Sequence, residues 1–282
     1  MTASAQLVSA GLSLIAVFAW GTSDFLGGYA SRRANAFFFT AITHLSGLLL
    51  MGTLANAWHA PFPPRAGALW ALAAGTLGGT ALSIFYRALA TGRMGLTAPV
   101  AAVLGAAIPT AFGMLTEGLP HPLQMVGFAL AAAGIWLISR GEGGSPRPEG
   151  LSMAVLAGIG FAGFYLCIHQ AGAASALWLA ALSRAASLVT VALIVLFGGH
   201  LRNMNPAAVA CGFFTGCLDV TGSALFVRAE QIGRLDSTVV LTSLYPAVTV
   251  LLARFFLKEQ FTPWKAAGIG AALAAVPLIA LR

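Results

Sequence analysis

FYRALATGRMGLT, residues 85–97, returns half a chain later as FVRAEQIGRLDST, residues 226–238. Phe85, Arg87, Ala88, Gly92, Arg93 and Thr97 have identical counterparts in Phe226, Arg228, Ala229, Gly233, Arg234 and Thr238. An echo at half the chain length marks an internal duplication. Each copy joins the end of one long apolar run to the start of the next, so the duplicated unit is built from membrane-length helices.

Composition leads to the same class. Of 282 residues, 59% are hydrophobic and 8% charged, against about 25% charged in a soluble domain. A soluble fold cannot cover itself with so few charges. The net charge of +7 sits at the ends of apolar runs, where the positive-inside rule puts it, and no basic patch with interleaved aromatics points to nucleic acid. Cys167, Cys211 and Cys217 fall within apolar runs without CxxC spacing, so neither a disulfide frame nor a metal site is expected. No cofactor motif is present.

A hydrocarbon core about 30 Å thick takes roughly 20 apolar residues per helix. Read against Gly, Pro and charged breaks, the chain gives ten spans: about 7–29, 36–55, 67–90, 96–115, 123–139, 151–170, 174–197, 207–229, 235–257 and 264–281. The apolar N-terminal run has no basic leader and reads as a retained first helix. Residues 1–140 hold five spans, the hydrophilic stretch at 141–150 is a linker, and residues 151–282 hold five more. Five is odd, so the second repeat starts on the opposite side of the bilayer. The expected fold is all-α, ten transmembrane helices as two inverted five-helix repeats, an architecture that alternating-access transporters use. Ten Arg and Lys residues, Lys265 among them, fall in loops after odd-numbered spans and four in the other loops and ends; that bias puts both termini on the outer, periplasmic-like side.

The pattern resembles the drug/metabolite transporter superfamily, EamA type. The features that carry it are AWGTSDFLGG at residues 19–28, Thr97-Ala98-Pro99-Val100, Leu244-Tyr245-Pro246, and the pair LTEGLPHPLQMVG (115–127) and LKEQFTPWKAAG (257–268). In that last pair Gln124 of the first half is replaced by Lys265 in the second. The resemblance implies a secondary transporter of the cytoplasmic membrane, often an exporter of amino acids or other small metabolites.

Ionisable residues inside a bilayer are costly and normally face protein or water. Asp24, His44, Arg184 and Asp219 are such residues. His44 and Arg184 are equivalent in the two repeats, Asp219 lies over Gly78, and Asp24 falls near Gly163. The expected pairing is each acid with the base of a neighbouring span: Asp24 with His44, Asp219 with Arg184, the latter as a structural ion pair. An Asp24–His44 couple would take up and release a proton; Asp24 also reads as an interfacial carboxylate capping Arg32 and Arg33. Trp20 and Tyr245 lie deep enough to line a cavity, whereas Tyr86, Tyr165 and His169, nearer span ends, read as interfacial belt. Thr242, Ser243 and Tyr245 flank Pro246, and Pro246 and Pro99 are expected helix breaks. Trp20, Asp24, His44, Thr242, Ser243 and Tyr245 are thus the candidate substrate-binding residues. Gly75, Gly79, Gly212 and Gly216 read as close packing between helices of one chain.

A membrane transporter of a small organic solute in the lipid bilayer, driven by its own gradient or by protons, is the first functional reading. A membrane-embedded enzyme is the alternative, but HExxH, GxSxG and Walker motifs are missing. A receptor without transport activity is the other alternative, and the sequence is compatible with either a monomer or a homodimer.

Overall fold

A computed structural model describes residues 3–92, 94–139, 150–198, 206–259 and 262–280. The described residues form helices and no strands: α1 (Ala3–Ser31), α2 (Ala36–Ala57), α3 (Arg65–Thr91), α4 (Met94–Thr116), α5 (Pro122–Ser139), α6 (Leu151–Ala171), α7 (Ala176–Phe197), α8 (Pro206–Ile232), α9 (Leu235–Thr242), α10 (Tyr245–Leu257) and α11 (Pro263–Ala280). Helices α9 and α10 are the two halves of one span, so the ten expected spans are all present. Large apolar side chains such as Phe18, Leu49, Phe197 and Phe255 point outward, Phe197 with 88% of its surface exposed. In water such a surface would drive aggregation; in lipid it is the solvated side.

The helix ends follow local chemistry. Asn35 caps α2, its side-chain oxygen accepting from Phe37 N–H at 3.0 Å and Phe38 N–H at 3.2 Å. Residues 61–64, Pro-Phe-Pro-Pro, cannot continue α2, and Trp178 of α7 holds the turn, its indole N–H donating to the Ala60 carbonyl at 2.9 Å. Gly172, at a φ of 71°, ends α6.

Packing follows a pseudo-twofold axis, and the contacts that show it cross between repeats. Helix α1 lies against α8 as α6 lies against α3, while α2 packs on α7 and α5 on α11. The quoted repeat sits at corresponding contacts. Ser9 of α1 donates to the Ala229 carbonyl at 2.8 Å and lies 3.4 Å from the Thr238 hydroxyl. At the corresponding place Gly150, which the offset between Phe85 and Phe226 pairs with Ser9, abuts the Ala88 carbonyl, Thr97 and Gly92. Gly92 N–H and Gly233 N–H close their helices on the Ala88 and Ala229 carbonyls, both at 2.8 Å. Arg87 and Arg228 are exposed. The glycine rows make the closest crossings: Gly75 lies on the Ser183 backbone and Gly216 on that of Thr43, while Ser187 donates to the Gly75 carbonyl at 2.7 Å and Ser46 to the Phe213 carbonyl at 2.9 Å. Backbones that close gain dispersion contacts a side chain would block.

Pro246 separates α9 from α10, but Pro99 and Pro109 lie inside an unbroken α4; the expected break at Pro99 is not there. The difference lies in the residues before the proline. The Ser243 hydroxyl donates to the Val240 carbonyl at 2.7 Å, which the Leu244 N–H would use in a continuous helix. That N–H turns instead to Leu241 O at 3.2 Å, and Pro246 then has no N–H to give to the Thr242 carbonyl. Gly95–Ala98 before Pro99 include no serine at the matching position, and the helix continues as membrane helices do when neighbours clamp them.

The second connector ties the repeats together. Arg234 makes two bonds to the Asp236 carboxylate at 3.1 and 2.7 Å and donates to the carbonyls of Glu117 and Gly118 in the α4–α5 turn. Glu117 in turn accepts from Leu235 N–H at 3.2 Å. The counterpart Arg93 lies outside the described residues. Burial raises the Glu117 carboxyl above its ordinary range, partly offset by the Leu235 N–H. The folded state therefore holds that proton more tightly than the unfolded chain, and the stability it contributes is lost as pH rises through the raised value. Glu117→Gln is expected to be neutral near pH 4 and to stabilise by a few tenths of a kcal/mol near pH 7, the effect being small at a partly exposed site; thermal unfolding at the two pH values measures it. Lys265 is buried within α11, so it does not count among the loop charges that set orientation.

Candidate functional site

A cavity of about 50 Å³ lies between the repeats, room for a few waters. Its walls are made of equivalent positions. Trp20 and Phe161, Asp24 and Tyr165, Gly78 and Asp219, and Leu82 and Ser223 all line it, and the members of each pair are spaced along the chain as Phe85 is from Phe226. The cavity thus sits on the axis that relates the repeats. Asp24 stands opposite Tyr165, a correction to the expected counterpart near Gly163. Duplication supplied the shape, and divergence at each pair supplied the chemistry.

The helix pitch explains which side chains arrive. Trp20 and Asp24 are four residues apart on α1, as are Phe161 and Tyr165 on α6 and Asp219 and Ser223 on α8, so each pair shares one face. The first residue of the duplicated stretch supports them from behind. Phe226 lies 5.8 Å from Trp20 and 4.8 Å from Tyr165, and Phe85 lies 5.4 Å from Phe161 and 6.3 Å from Tyr245, between ring centroids. Both phenylalanines are fully buried.

The charges are arranged unequally. Arg184 Nη2 lies 2.9 Å from Asp219 Oδ2 and also donates to the Ser223 hydroxyl. Ser223 and the Trp20 indole N–H both donate to the Asp219 backbone carbonyl, at 3.0 Å each. Asp24, only 5% exposed, borders the cavity with no hydrogen bond or ion pair among the described residues. The Tyr245 hydroxyl is buried and unpartnered there too.

Among the residues expected to bind a solute, Trp20, Asp24 and Tyr245 come together at the cavity and the others do not. His44 is fully buried on α2, away from the lining. Its ring nitrogens make no hydrogen bond to Asp24, which overturns the Asp24–His44 couple: α1 packs mainly on α8 and α10 and meets α2 only lightly. Thr242 and Ser243 spend their hydroxyls on the carbonyls of α9, at 2.8 Å to Thr238 O and 2.7 Å to Val240 O. Asp24 does not cap the basic turn; Arg32 reaches Glu259 at 3.5 Å instead. The belt expectation fails for Tyr165, which lines the cavity, and for Tyr86, fully buried with its hydroxyl 3.3 Å from that of Ser23. His169 is paired with Glu230 at 2.6 Å. Sequence reasoning missed Phe161, Phe164, Leu82 and Ser223. The repeat offset applied to Trp20 would have found Phe161.

Ten membrane helices in two repeats, with a cavity on the axis between them, define a polytopic membrane protein of the transporter type. The chain belongs to the EamA-like transporter family, whose model matches residues 8–140 and again residues 148–281. No curated protein matches the chain. A solved structure described only as "Crystal structure of protein" is 17% identical, with a TM-score of 0.74 over 99% of this chain and 96% of that one; at that identity it speaks to the fold alone.

Proposed function

We propose that this protein is a secondary transporter that moves a small organic metabolite, such as an amino acid, across the cytoplasmic membrane by alternating access at the cavity between the repeats. The observation that carries the reading is that both repeats line one cavity through equivalent residues, so tilting one repeat against the other would expose the same site to either side in turn. Export is the assigned direction, resting on the family resemblance, and the termini are read as periplasmic. Proton uptake is assigned to Asp24 in the part of the cycle when no solute occupies the cavity; the titratable and charged groups around it are Asp219, Arg184, Tyr86, Tyr165 and Tyr245.

Counterflow in proteoliposomes tests this. Wild-type protein loaded with a mixture of unlabelled amino acids should accumulate at least one labelled member. Leu82→Trp, which fills the cavity, should cut the initial rate about tenfold while still eluting as folded protein. Equal rates for wild type, Leu82→Trp and empty liposomes would refute the assignment.

A further inference from the structure

Three charged side chains border the cavity, and they do not balance. Arg184 pairs with Asp219 at 2.9 Å and donates to Ser223 through Nη2, its Nε–H remaining without a hydrogen bond among the described residues. That leaves Asp24, buried and without a partner among the described residues, as the acid of the site that has no basic side chain to pair with. Buried in this way, it is unfavourable as a carboxylate unless a proton neutralises it or a cation pairs with it. The surrounding groups indicate what would. Trp20 has already given its N–H to the Asp219 carbonyl at 3.0 Å, so the ring offers its π face and edges. Trp20 and Tyr165, 6.1 Å apart between centroids, both line the cavity and are aromatic rings of the kind that attract a cation, and the unpartnered Tyr245 hydroxyl can accept from an N–H. An anionic head would meet Asp24 and find the charge of Arg184 already neutralised.

We propose that the cavity is an ammonium-recognition site: the transported solute carries a protonated amino group that pairs with Asp24, against Trp20 and Tyr165 and within reach of Tyr245. This rests on the transporter reading and narrows it. The cavity holds a head group rather than a whole metabolite, so the solute's body is accommodated when the repeats move apart. An amine and an amino acid share the ammonium head. They differ in what they ask of Arg184, since a carboxylate would have to draw it from Asp219.

The test uses purified full-length protein and four probes of similar size: n-butylamine, 2-aminobutyrate, butyrate and 1-butanol, titrated by calorimetry and by thermal shift. Butylamine, aminobutyrate or both should bind wild type, and butyrate and butanol should not. Asp24→Asn, which keeps the shape and removes a charge-assisted bond, should weaken that binding about tenfold or more, and Asp24→Glu should restore part of it. If butylamine binds, the site takes a monocation; if aminobutyrate alone binds, Arg184 leaves Asp219 for the carboxylate. Either result supports the proposal. Binding of butyrate or butanol as tight as that of the amines, amine binding unchanged in Asp24→Asn, or binding of none of the four overturns it. Counterflow separates this from the parent reading: exchange of butyrate or butanol alone would leave a transporter without an ammonium site, whereas Asp24-dependent amine binding without exchange of any solute would leave the site without transport.

Discussion

Arg184→Met is expected to cost about 3–5 kcal/mol, the range for removing one partner of a buried ion pair, and to lower the thermal midpoint of the purified protein more than any other substitution in the cavity. The cause is the residue left behind. Asp219 is as buried as Arg184, Ser223 and Trp20 bond to its backbone carbonyl and not to its carboxylate, and the lost guanidinium would leave that carboxylate unpaired. The double variant Arg184→Met with Asp219→Leu should recover most of the loss, since replacing both ions with apolar side chains of similar volume is often neutral or stabilising. A double-mutant cycle on SDS-induced unfolding measures the coupling. A single variant as stable as wild type would mean that Asp219 is solvated from the cavity and that the pair contributes nothing to the fold. Transport is read separately: the stable double variant should be inactive if Asp219 and Arg184 also shape the solute's path.

How far the sequence exposed this arrangement depends on which physical signal each feature leaves. The spans were legible because lipid excludes charge over a fixed thickness, so apolar runs must be long and uninterrupted. The duplication was legible because Gly92 and Gly233, Thr97 and Thr238, and Phe85 and Phe226 hold equivalent inter-repeat contacts, which substitution would break. Helix faces were far less legible. A helix that is apolar toward lipid and apolar toward its neighbours has no period that marks the inner side, so Tyr165 and Tyr86 read as belt residues. Pairing by adjacency in the chain also misleads. Asp24 and His44 sit on consecutive spans, but α1 is built into the other repeat, against α8 and α10. Prolines alone did not locate the broken helix either; the distinguishing residue is Ser243, whose hydroxyl captures the carbonyl that the next N–H needs.

The second large effect is expected at the two glycine crossings, where alanine carries its own control. A methyl group on Gly75 would overlap the Ser183 carbonyl, and one on Gly216 would overlap the Thr43 carbonyl and the Ser46 hydroxyl. Real carbon–oxygen contacts do not come that close, and the obstacle in each case includes backbone, which cannot rotate away. The helices would have to separate, and separation stretches the Ser187 bond to Gly75 at one crossing and the Ser46 bond to Phe213 at the other. Gly75→Ala and Gly216→Ala should therefore each cost about 3 kcal/mol, the upper end of the overpacking range, seen as a lower thermal midpoint and a loss of monodisperse protein. Gly11 and Gly270 have open space where the methyl would go, so Gly11→Ala and Gly270→Ala should be neutral or gain up to about 1 kcal/mol from the better helix propensity of alanine. Gly75 and Gly216 occupy equivalent positions of the two repeats and each meets a backbone carbonyl of the helix it crosses, so their penalties should be of similar size. Unequal penalties, or equal losses at the open glycines, would show that the two crossings do not share the load between the repeats in the way their packing implies.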